Sequence, residues 1–425
     1  MRVLILGAGA KDHAIAWWFS RSNLVTDIFC APGNIATGAF ATNLPDVDSS
    51  NPDEVYDACI RYGITYVFIG TEAPLLAGMI DFLQRKGICT FGAPLNSLRL
   101  EGDRNFARAF TDRHNIPTPR RNLFESLESL KKFLSRHEGE HFVLKSNTVA
   151  PSRIMIDSSD SEALLSFAEE LFKRGSVLLE EHCTGLPLTA TVIVDSNGYL
   201  ALPFTSDYMY TSANEGIPTG GMGAVCPIQI KQEYIDQIRE QIIEPTIYGI
   251  KVEQLAYKGV LTFSIILHED RAVLVDYHVR FNDPASQALI PLIKNDIVEL
   301  LDAVRDDRVS EVELKLSNES SVAVVIASEG YPMNPVCGKP VSLDYSYLVF
   351  NMLHRLPLVF TGAVGGSEVN ALTTSGGRCF TFVGRGKNIK AANENAYRLI
   401  DSVRIDGSWY RDDIGTQFFI SDSDD

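Results

Sequence analysis

The chain has 425 residues, 45% of them hydrophobic, which is enough for two or three domains that each bury a core. Its formal net charge of -16 argues against a sequence-independent nucleic-acid binder, because neutralising phosphates requires a surplus of Lys and Arg. The seven cysteines are scattered and form no C-x-x-C pair, so they suggest neither a disulfide framework nor a zinc site. Glycines and charged residues interrupt the N-terminal apolar run, and no span of about 18 apolar residues follows, so we expect a cytoplasmic protein without a membrane partner.

The first hundred residues alternate between predicted strands and helices. "RVLIL" predicts a strand, which a glycine-bearing turn joins to the helix "AIAWWFSRS", and the strand "TDIFCAPG" follows. Two further pairs, "PDEVYDACIRYG" with "ITYVFIG" and "LLAGMIDFLQRKG" with "ICTFGAP", repeat the helix and strand order. Strand, helix, strand in this order implies a parallel sheet, so we predict a doubly wound α/β domain over residues 1–103.

Three more domains are predicted. Residues 104–190 predict a small α+β module that contains the hairpin "FVLKSNTVAPSRIMI" at 142–156. Residues 191–317 predict an antiparallel sheet with a turn at "DSNG", a long helix over 233–255 and a strand pair over 259–281. Residues 318–420, with short strands, turns and one helix at 391–403, predict a C-terminal domain, and the tail "SDSDD" is predicted to be disordered.

Three glycine-bearing stretches follow strands of the N-terminal domain. They are "GAGAKDHA" at 7–14, "APGN" at 31–34 and "GTEAPLLAG" at 70–78. Each alone is as typical of a tight turn as of an anion site, but all three lie on the carboxyl edge of the sheet, where α/β domains bind ligands. The substrate-binding candidates at this edge are Gly9, His13, Gly33, Asn34 and Glu72.

The stretch "EGIPTGGMGAV" at 215–225 is a stronger signal. Thr219, Gly220, Gly221 and Gly223 form a backbone that can wrap an anionic or amino-acid-like substrate with N–H donors. A plain hairpin turn, the alternative, needs fewer glycines.

In "LVDYHVRFNDP" at 274–284, alternation along a strand points Asp276, His278 and Arg280 to one face, with Asp283 just beyond. A carboxylate and an imidazole so placed can share a metal ion, and Arg280 beside them can hold a phosphoryl or acyl-phosphate oxygen. The alternative is a row of solvated side chains on an edge strand.

These motifs, together with "LEGDRNFARAF", "TTSGGR" and "WYRDDIG", occur in the order and at about the spacing of the phosphoribosylamine–glycine ligase family, and the chain resembles that family from Met1 to about Gly415. The resemblance implies an ATP-grasp fold: an N-terminal α/β domain, a small ATP-lid domain, a central antiparallel domain and a C-terminal domain. It also implies a reaction in which a carboxylate attacks the γ-phosphate of ATP to give an acyl phosphate, which an amine then converts to an amide.

By this resemblance, residues of three groups acquire roles. Arg104, Lys145 and Arg153 would bind phosphates, and Glu180 and Glu181 would hold the adenine and ribose of ATP. Asp207, which matches an acid before the glycine loop, is also assigned to ATP binding. Arg280 and Asp283 would orient the acyl phosphate and the amine. Asp276 and His278 would hold Mg²⁺ or Mn²⁺.

The chain also departs from the family pattern. The lid loop, close to K-A-D-G-L-A-A-G-K-G in the family, is "KSNTVAPSRI" here, and the family's D-H-K-R run is Asp207, Tyr208, Met209 and Tyr210. Asp276 replaces a Glu and His278 an Asn, and an imidazole suits Mn²⁺ or Zn²⁺ better than Mg²⁺.

The leading hypothesis is an ATP-dependent ligase that joins an amino acid or other carboxylate to an amine such as phosphoribosylamine, in purine synthesis or a related pathway, as a monomer or homodimer. A non-catalytic paralogue that binds a phosphoribosyl-type ligand or a protein partner is the alternative. A third possibility is an enzyme with a changed nucleotide or acceptor.

Overall fold

The structure is a computed structural model that describes residues 1–146, 155–212, 215–344, 358–366 and 371–419. Its N-terminal part is a parallel sheet in the order β3-β2-β1-β4-β5. The strands are β1 Arg2–Gly7, β2 Asp27–Pro32, β3 Thr42–Asn43, β4 Tyr66–Ile69 and β5 Cys89–Phe91. The helices are α1 Ala10–Ser20, α2 Pro52–Tyr62, α3 Glu72–Leu76 and α4 Met79–Arg85. The predicted doubly wound arrangement is therefore present.

Two helix boundaries in this part differ from the sequence-based prediction. Helix α1 begins at Ala10 rather than Ala14, because the carboxylate of Asp12 accepts the backbone N–H of Gly9 at 2.9 Å and completes the first turn. The single helix predicted over 75–87 is split, because Gly78 takes a left-handed conformation with φ of 73° between α3 and α4. Lys11, Asp12 and His13 consequently lie on a helix rather than in a turn.

Helices α5 Leu95–Gly102 and α6 Arg104–Arg113 lead to a second sheet with the order β6-β9-β7-β8, which we call the lid sheet. Its strands are β6 Arg121–Phe124, β7 Phe142–Ser146, β8 Met155–Ser158 and β9 Val177–Glu181, with α7 Leu127–Leu134 and α8 Ser161–Phe172 packed on it. All its strand pairs are antiparallel, and β7 with β8 is the predicted hairpin. The lid has its own hydrophobic core, which includes Leu130, Leu144 and Leu164.

The central part forms an antiparallel sheet in the order β11-β10-β14-β15. Its strands are β10 Leu186–Val194, β11 Tyr199–Ala201, β14 Gly259–His268 and β15 Arg271–His278; strands β12 Ser206–Ser212 and β13 Glu215–Cys226 lie between them in sequence. The predicted long helix is α9 Gln232–Gln237, a π-helical segment Ile238–Ile243, and α10 Glu244–Val252. Pro245 lacks the N–H that a regular helix requires there, which favours the wider turn.

A fourth sheet, antiparallel throughout, joins the central and C-terminal parts. Its sheet order is β12-β13-β16-β21-β18, with β16 Ser320–Ala327, β18 Leu358–Thr361 and β21 Arg378–Gly386. The remaining elements are helices α11 Ala285–Leu289, α12 Ile297–Arg305 and α13 Ile389–Ile400, and strands β17 Val341–Leu343, β19 Val364–Gly365, β20 Thr373–Thr374 and β22 Val403–Ile405. Because this sheet hydrogen-bonds strands from both sides of residue 317, the central and C-terminal parts pack as neighbours; the domain boundaries stay predictions.

Candidate active site

Four charged side chains meet where the lid sheet faces the central sheet. Lys145 lies on β7, Glu180 on β9, Asp276 on β15 and Arg108 on α6. The Nζ atom of Lys145 is 2.7 Å from Oε2 of Glu180 and 3.5 Å from Oδ2 of Asp276, and the Lys145 side chain is 2% exposed. We call these four residues the lid cluster. It unites three residues that the sequence analysis had assigned to ATP and metal binding.

Arg108 is the member of the lid cluster that the sequence analysis missed. Its guanidinium donates to the carboxylate of Glu180 and, at 2.6 Å, to the carbonyl of Val275. Burial alone would raise the pKa of Glu180, but Lys145 and Arg108 outweigh it and hold that pKa below its usual value. Glu180 therefore stays ionised and orients two cations.

The other predicted ATP-binding residues lie around this cluster. The guanidinium of Arg104 donates to the carbonyl of Ser146, at the end of the strand that carries Lys145. Glu181 follows Glu180 on β9 and so points to the opposite face of the lid sheet, where Nε of Arg120 lies 2.6 Å from its carboxylate. Arg153 lies outside the described residues.

A second group of charges surrounds the end of β15, and we call Glu72, Glu101, His278 and Arg280 the strand-end cluster. Glu101 is its hub: its carboxylate accepts the N–H of Val279 and the guanidinium of Arg280, each at 3.0 Å, and lies 3.3 Å from Nδ1 of His278. Glu72 lies 3.8 Å from Arg280. Nε of Arg280 is buried and has no hydrogen-bond partner in the described part of the chain. A buried donor without a partner is the feature expected of a residue that awaits a ligand.

Asp276 and His278 share one face of β15, as the alternation predicted, because they lie opposite Ser264 and Thr262 of β14. Their surroundings differ. Asp276 lies beside Lys145, whereas His278 is buried with Nε2 2.9 Å from the hydroxyl of Ser264. In the described residues, neither belongs to a group of three His, Cys, Asp or Glu residues whose ligand atoms all lie within 4.8 Å of one another. The metal assignment to this pair stays a prediction.

Asp207 is buried at the base of the central sheets rather than in either cluster. Its carboxylate accepts hydrogen bonds from the hydroxyls of Thr189 at 2.8 Å and Thr205 at 3.4 Å. Burial raises the pKa of Asp207 to about 6, since these hydroxyl bonds only partly offset the loss of solvent.

The glycine stretch makes up nearly all of β13, and its glycines are closely packed. The N–H of Gly220 donates to the Tyr331 hydroxyl at 2.8 Å, and that of Gly221 to the Thr219 hydroxyl at 3.0 Å. A Cβ on Gly221 would lie 2.7 Å from the carbonyl oxygen of Asp283, and one on Gly223 would lie 2.6 Å from Ile414. These glycines thus permit close packing of the chain, and their predicted role in cradling a substrate stays a prediction.

Asp283 follows β15 and is held by the C-terminal part of the chain. Its carboxylate oxygen Oδ1 accepts from Arg378 at 3.2 Å and from Gln287 at 2.8 Å, and Arg378 also donates to the Gly220 carbonyl at 2.6 Å. Arg378 therefore ties the glycine stretch to the loop that carries Asp283.

The N-terminal candidates lie together at the carboxyl edge of the parallel sheet. Nδ1 of His13 accepts the backbone N–H of Thr361 at 3.0 Å, and burial lowers the pKa of His13 to about 4, so the ring is neutral. The side-chain amide of Asn34 donates to the carbonyls of Ala8 and Thr361, each at 2.9 Å. Gly33, with φ of 73°, allows the turn after β2. These contacts hold together the loops at the carboxyl edge of the parallel sheet.

Glu101, Arg108 and Lys11 are the charged residues of the site that sequence reasoning did not select. Lys11 donates from Nζ to the carbonyl of Phe281 at 3.2 Å, and burial with the nearby Arg280 lowers its pKa to about 8. A signal existed for Arg108, because it lies four residues after Arg104 on one helix and so on the same face. No sequence signal distinguished Glu101 from the neighbouring acids.

The comparisons with known proteins agree with this geometry. Models of the phosphoribosylglycinamide synthetase N domain, ATP-grasp (A) domain and C domain match residues 1–101, 102–286 and 321–417. A phosphoribosylamine–glycine ligase from Leifsonia xyli is 31% identical over 425 residues, which cover 98% of this chain and all of that relative. The chain belongs to the phosphoribosylamine–glycine ligase family. The family predicted from the sequence motifs is confirmed.

Solved structures confirm the predicted ATP-grasp fold. A crystal structure of phosphoribosylamine–glycine ligase from Thermotoga maritima superposes with a TM-score of 0.81 at 27% identity, covering 97% of this chain and 100% of that one. A biotin carboxylase from Campylobacter jejuni, at 14% identity and a TM-score of 0.69 over 96% of this chain, shares the fold alone. Among the described residues, no helix is long and apolar enough to cross a bilayer.

Proposed function

We propose that this chain is an ATP-dependent ligase that joins the carboxylate of glycine to phosphoribosylamine through an acyl phosphate. The observation that carries the proposal is the lid cluster, where the 2.7 Å contact of Lys145 with Glu180 and its 3.5 Å contact with Asp276 bring a lid cation to a carboxylate of the central sheet. Phosphoryl transfer from ATP requires cations and a metal-ligating carboxylate at one point, since catalysis rests on positioning and charge neutralisation.

The donor set of the lid cluster fits ATP with Mg²⁺. Asp276 offers a carboxylate oxygen, and Mg²⁺ at such sites is commonly held by one or two carboxylates together with substrate phosphates. When bound, the ion would neutralise charge on the transferring phosphoryl group. His278 is a poor match for so hard an ion, and its ring is already engaged with Ser264 and Glu101, so Asp276 is the stronger candidate of the two. Mn²⁺ would accept the same carboxylate.

The protein groups have separate tasks in this proposal. Lys145 and Arg104 contact the phosphates, and Glu180 with Arg108 holds Lys145 in place. Arg280, whose Nε lacks a partner in the described chain, binds an oxygen of the acyl phosphate, while Glu101 fixes the other side of its guanidinium at 3.0 Å. Asp283 orients the attacking amine, and the carboxyl edge of the N-terminal sheet binds the phosphoribosyl group. The lid sheet keeps water from the acyl phosphate.

Phosphate release with ATP, glycine and phosphoribosylamine tests the proposal. We expect release that depends on both substrates, and we expect Lys145→Met to lower its kcat by roughly 10²–10³-fold, the loss typical of a group that stabilises developing charge. Lys173→Met is the matched control, because Lys173 is an exposed lysine of the same lid, 2.6 Å from Glu170. An equal loss in both variants would contradict the role of Lys145.

A ligand assay separates the ligase from the non-catalytic alternative. ATP at about 100 times its Kd should stabilise the fold by roughly 2.7 kcal/mol. Absence of any thermal shift with millimolar ATP and Mg²⁺ would sink the ligase proposal. Binding of ATP with phosphate release only for other acids or amines would instead identify a changed acceptor in the same fold.

A further inference from the structure

A cluster of two histidines and an aspartate lies on the lid sheet, outside the residues used above. His141 immediately precedes β7, Asp157 lies on β8 and His182 immediately follows β9. Nε2 of His141 is 2.7 Å, and Nδ1 of His182 2.9 Å, from the same carboxylate oxygen of Asp157. The two imidazole rings stack at 4.0 Å between centroids with an interplanar angle of 7°.

The register of the lid sheet places the three side chains on one face. Val143 pairs with Asp157 across β7 and β8 and with Glu180 across β7 and β9, and the N–H of His182 donates to the carbonyl of His141 at 3.1 Å. Side chains opposite each other or two residues apart share a face, so the cluster faces the same side as Lys145 and Glu180. His141 lies four residues from Lys145, about 13 Å along the strand, while Asp157 lies opposite Val143 and His182 lies two residues after Glu180, so the two clusters are neighbours on one face.

We propose that His141, Asp157 and His182 bind a Zn²⁺-class divalent cation. One ligand atom from each residue lies within 4.8 Å of the other two. Among the described residues, this is the only group of three His, Cys, Asp or Glu side chains that are so close together. Donors in a tetrahedral zinc site lie about 3.4 Å apart, given ligand distances near 2.1 Å, so small side-chain rotations would open the cluster to an ion. Two imidazoles and one carboxylate suit Zn²⁺ and not Mg²⁺.

The surroundings of Asp157 support this assignment. The phenol of Tyr210 donates to Oδ2 of Asp157 at 3.0 Å, leaving Oδ1 toward the two rings. Hydrogen-bonded outer partners of this kind orient a ligating carboxylate.

A bound ion would cross-link segments that are distant in sequence. The ion would join the ends of three adjacent strands of the lid sheet, and Tyr210 on β12 would connect it to the central part of the molecule. The side-chain exposures of 46% for His141, 22% for His182 and 10% for Asp157 leave an open path for the ion from solvent. None of the three ligands is among the residues assigned to ATP or substrate, so zinc binding can be measured separately from the ligase reaction.

Titration of the full chain with Zn²⁺ tests the proposal. After chelation and in the absence of ATP, calorimetry should show one saturable site, and zinc should raise the thermal midpoint. We expect His141→Ala and His182→Ala each to weaken binding at least about tenfold, and Tyr210→Phe to weaken it about tenfold as an outer-partner change. His137→Ala is the matched control, because His137 is a lid histidine 3.0 Å from Glu140 and 36% exposed.

Cobalt substitution identifies the ligands. Co²⁺ bound to nitrogen and oxygen should show visible d–d bands without the charge-transfer band of a thiolate, which separates this site from nearby Cys183. If His182→Ala fails to fold, the exposed His141→Ala still decides the question. The proposal is overturned if wild-type protein binds no zinc at micromolar concentration, if His141→Ala binds it unchanged, or if a thiolate band appears. Because ATP is absent, neither result depends on the proposed ligase activity.

Discussion

Two buried carboxylates, Glu180 at the lid junction and Asp207 beneath the central sheets, show how differently one kind of group can be accommodated. Glu180 is 1% exposed and faces Lys145 and Arg108. Asp207 is 8% exposed and accepts hydrogen bonds from the hydroxyls of Thr189 and Thr205, with the side chain of Asn282 also close to it. The pKa of Glu180 is held below its usual value, whereas that of Asp207 is raised to about 6. Cations compensate for lost solvent, and hydroxyl groups do so only in part.

The different ionisation of Glu180 and Asp207 affects what each carboxyl group can do. An ionised Glu180 can hold Lys145 in position for phosphate binding at every pH near neutrality. The pKa of Asp207, by contrast, is raised to about 6, so its charge changes just below neutrality. Replacing each acid by its amide isostere removes the charge with little change of shape, and the two regions should respond with opposite signs.

The largest effect is expected for Glu180→Gln, which removes the carboxylate nearest to the buried Lys145 and Arg108 and leaves them only the more distant Asp276. Breaking one side of a buried ion pair costs about 3–5 kcal/mol, so we expect a loss of unfolding free energy of that order at pH 8. Because the folded pKa of Glu180 is lowered, this stabilisation exists above the unfolded pKa and is lost as pH falls, so the difference from wild type should shrink in acid.

Urea unfolding at pH 8 and pH 4 measures the Glu180→Gln effect. Glu170→Gln is the control, since Glu170 is an exposed lid acid paired with Lys173. An equal loss of unfolding free energy in the two variants would mean that the buried pair stabilises the fold no more than the exposed pair does.

Asp207→Asn should act in the opposite direction and more weakly. The folded pKa of about 6 exceeds the ordinary aspartate value of 3.8, so the folded state keeps its proton to higher pH and stability falls as pH rises between these values. Removing the charge should therefore stabilise the protein at pH 8 by up to about 3 kcal/mol, the value of two pKa units, and have little effect at pH 4.

Unfolding curves of Asp207→Asn against pH supply the measurement, with the exposed Asp57→Asn on α2 as the control. If Asp207→Asn were less stable than wild type at pH 8, the negative charge of Asp207 would itself stabilise the fold. Asp207 and Glu180 would then respond with the same sign.

The smallest effect is expected for Arg120→Ala, which removes the ion-pair partner of Glu181, the residue next to Glu180. Arg120 is 89% exposed, and its pair with Glu181 is screened by solvent. The backbone N–H of residue 120, which donates to Glu181 at 2.9 Å, survives the substitution. We expect no measurable change in the thermal midpoint at 0.15 M salt. A clear drop in the thermal midpoint would mean that the charge contacts of Glu181 stabilise the fold as much as those of Glu180.

The sequence predicted the lid hairpin, the parallel N-terminal sheet and the shared face of Asp276 and His278, because each depends on local periodicity or on element order. It also predicted the family, through motifs spread along the whole chain. It did not predict the break at Gly78, where one left-handed residue splits a helix, nor the partners Glu101 and Arg108. These partners come from helices far from their targets in sequence, and no local pattern distinguishes them from exposed charges.

The amino-acid sequence by itself determined which side chains share a strand face, because side chains alternate with a period of two whatever the strand packs against. Only the tertiary structure decided which charges meet. It brings His278, whose metal role stays a prediction, within reach of Ser264 and Glu101, and it brings His141, Asp157 and His182 together from three strands of one sheet. The physical reason is that a contact across a sheet depends on the register of segments distant in sequence, and that register is set by burial of the whole core.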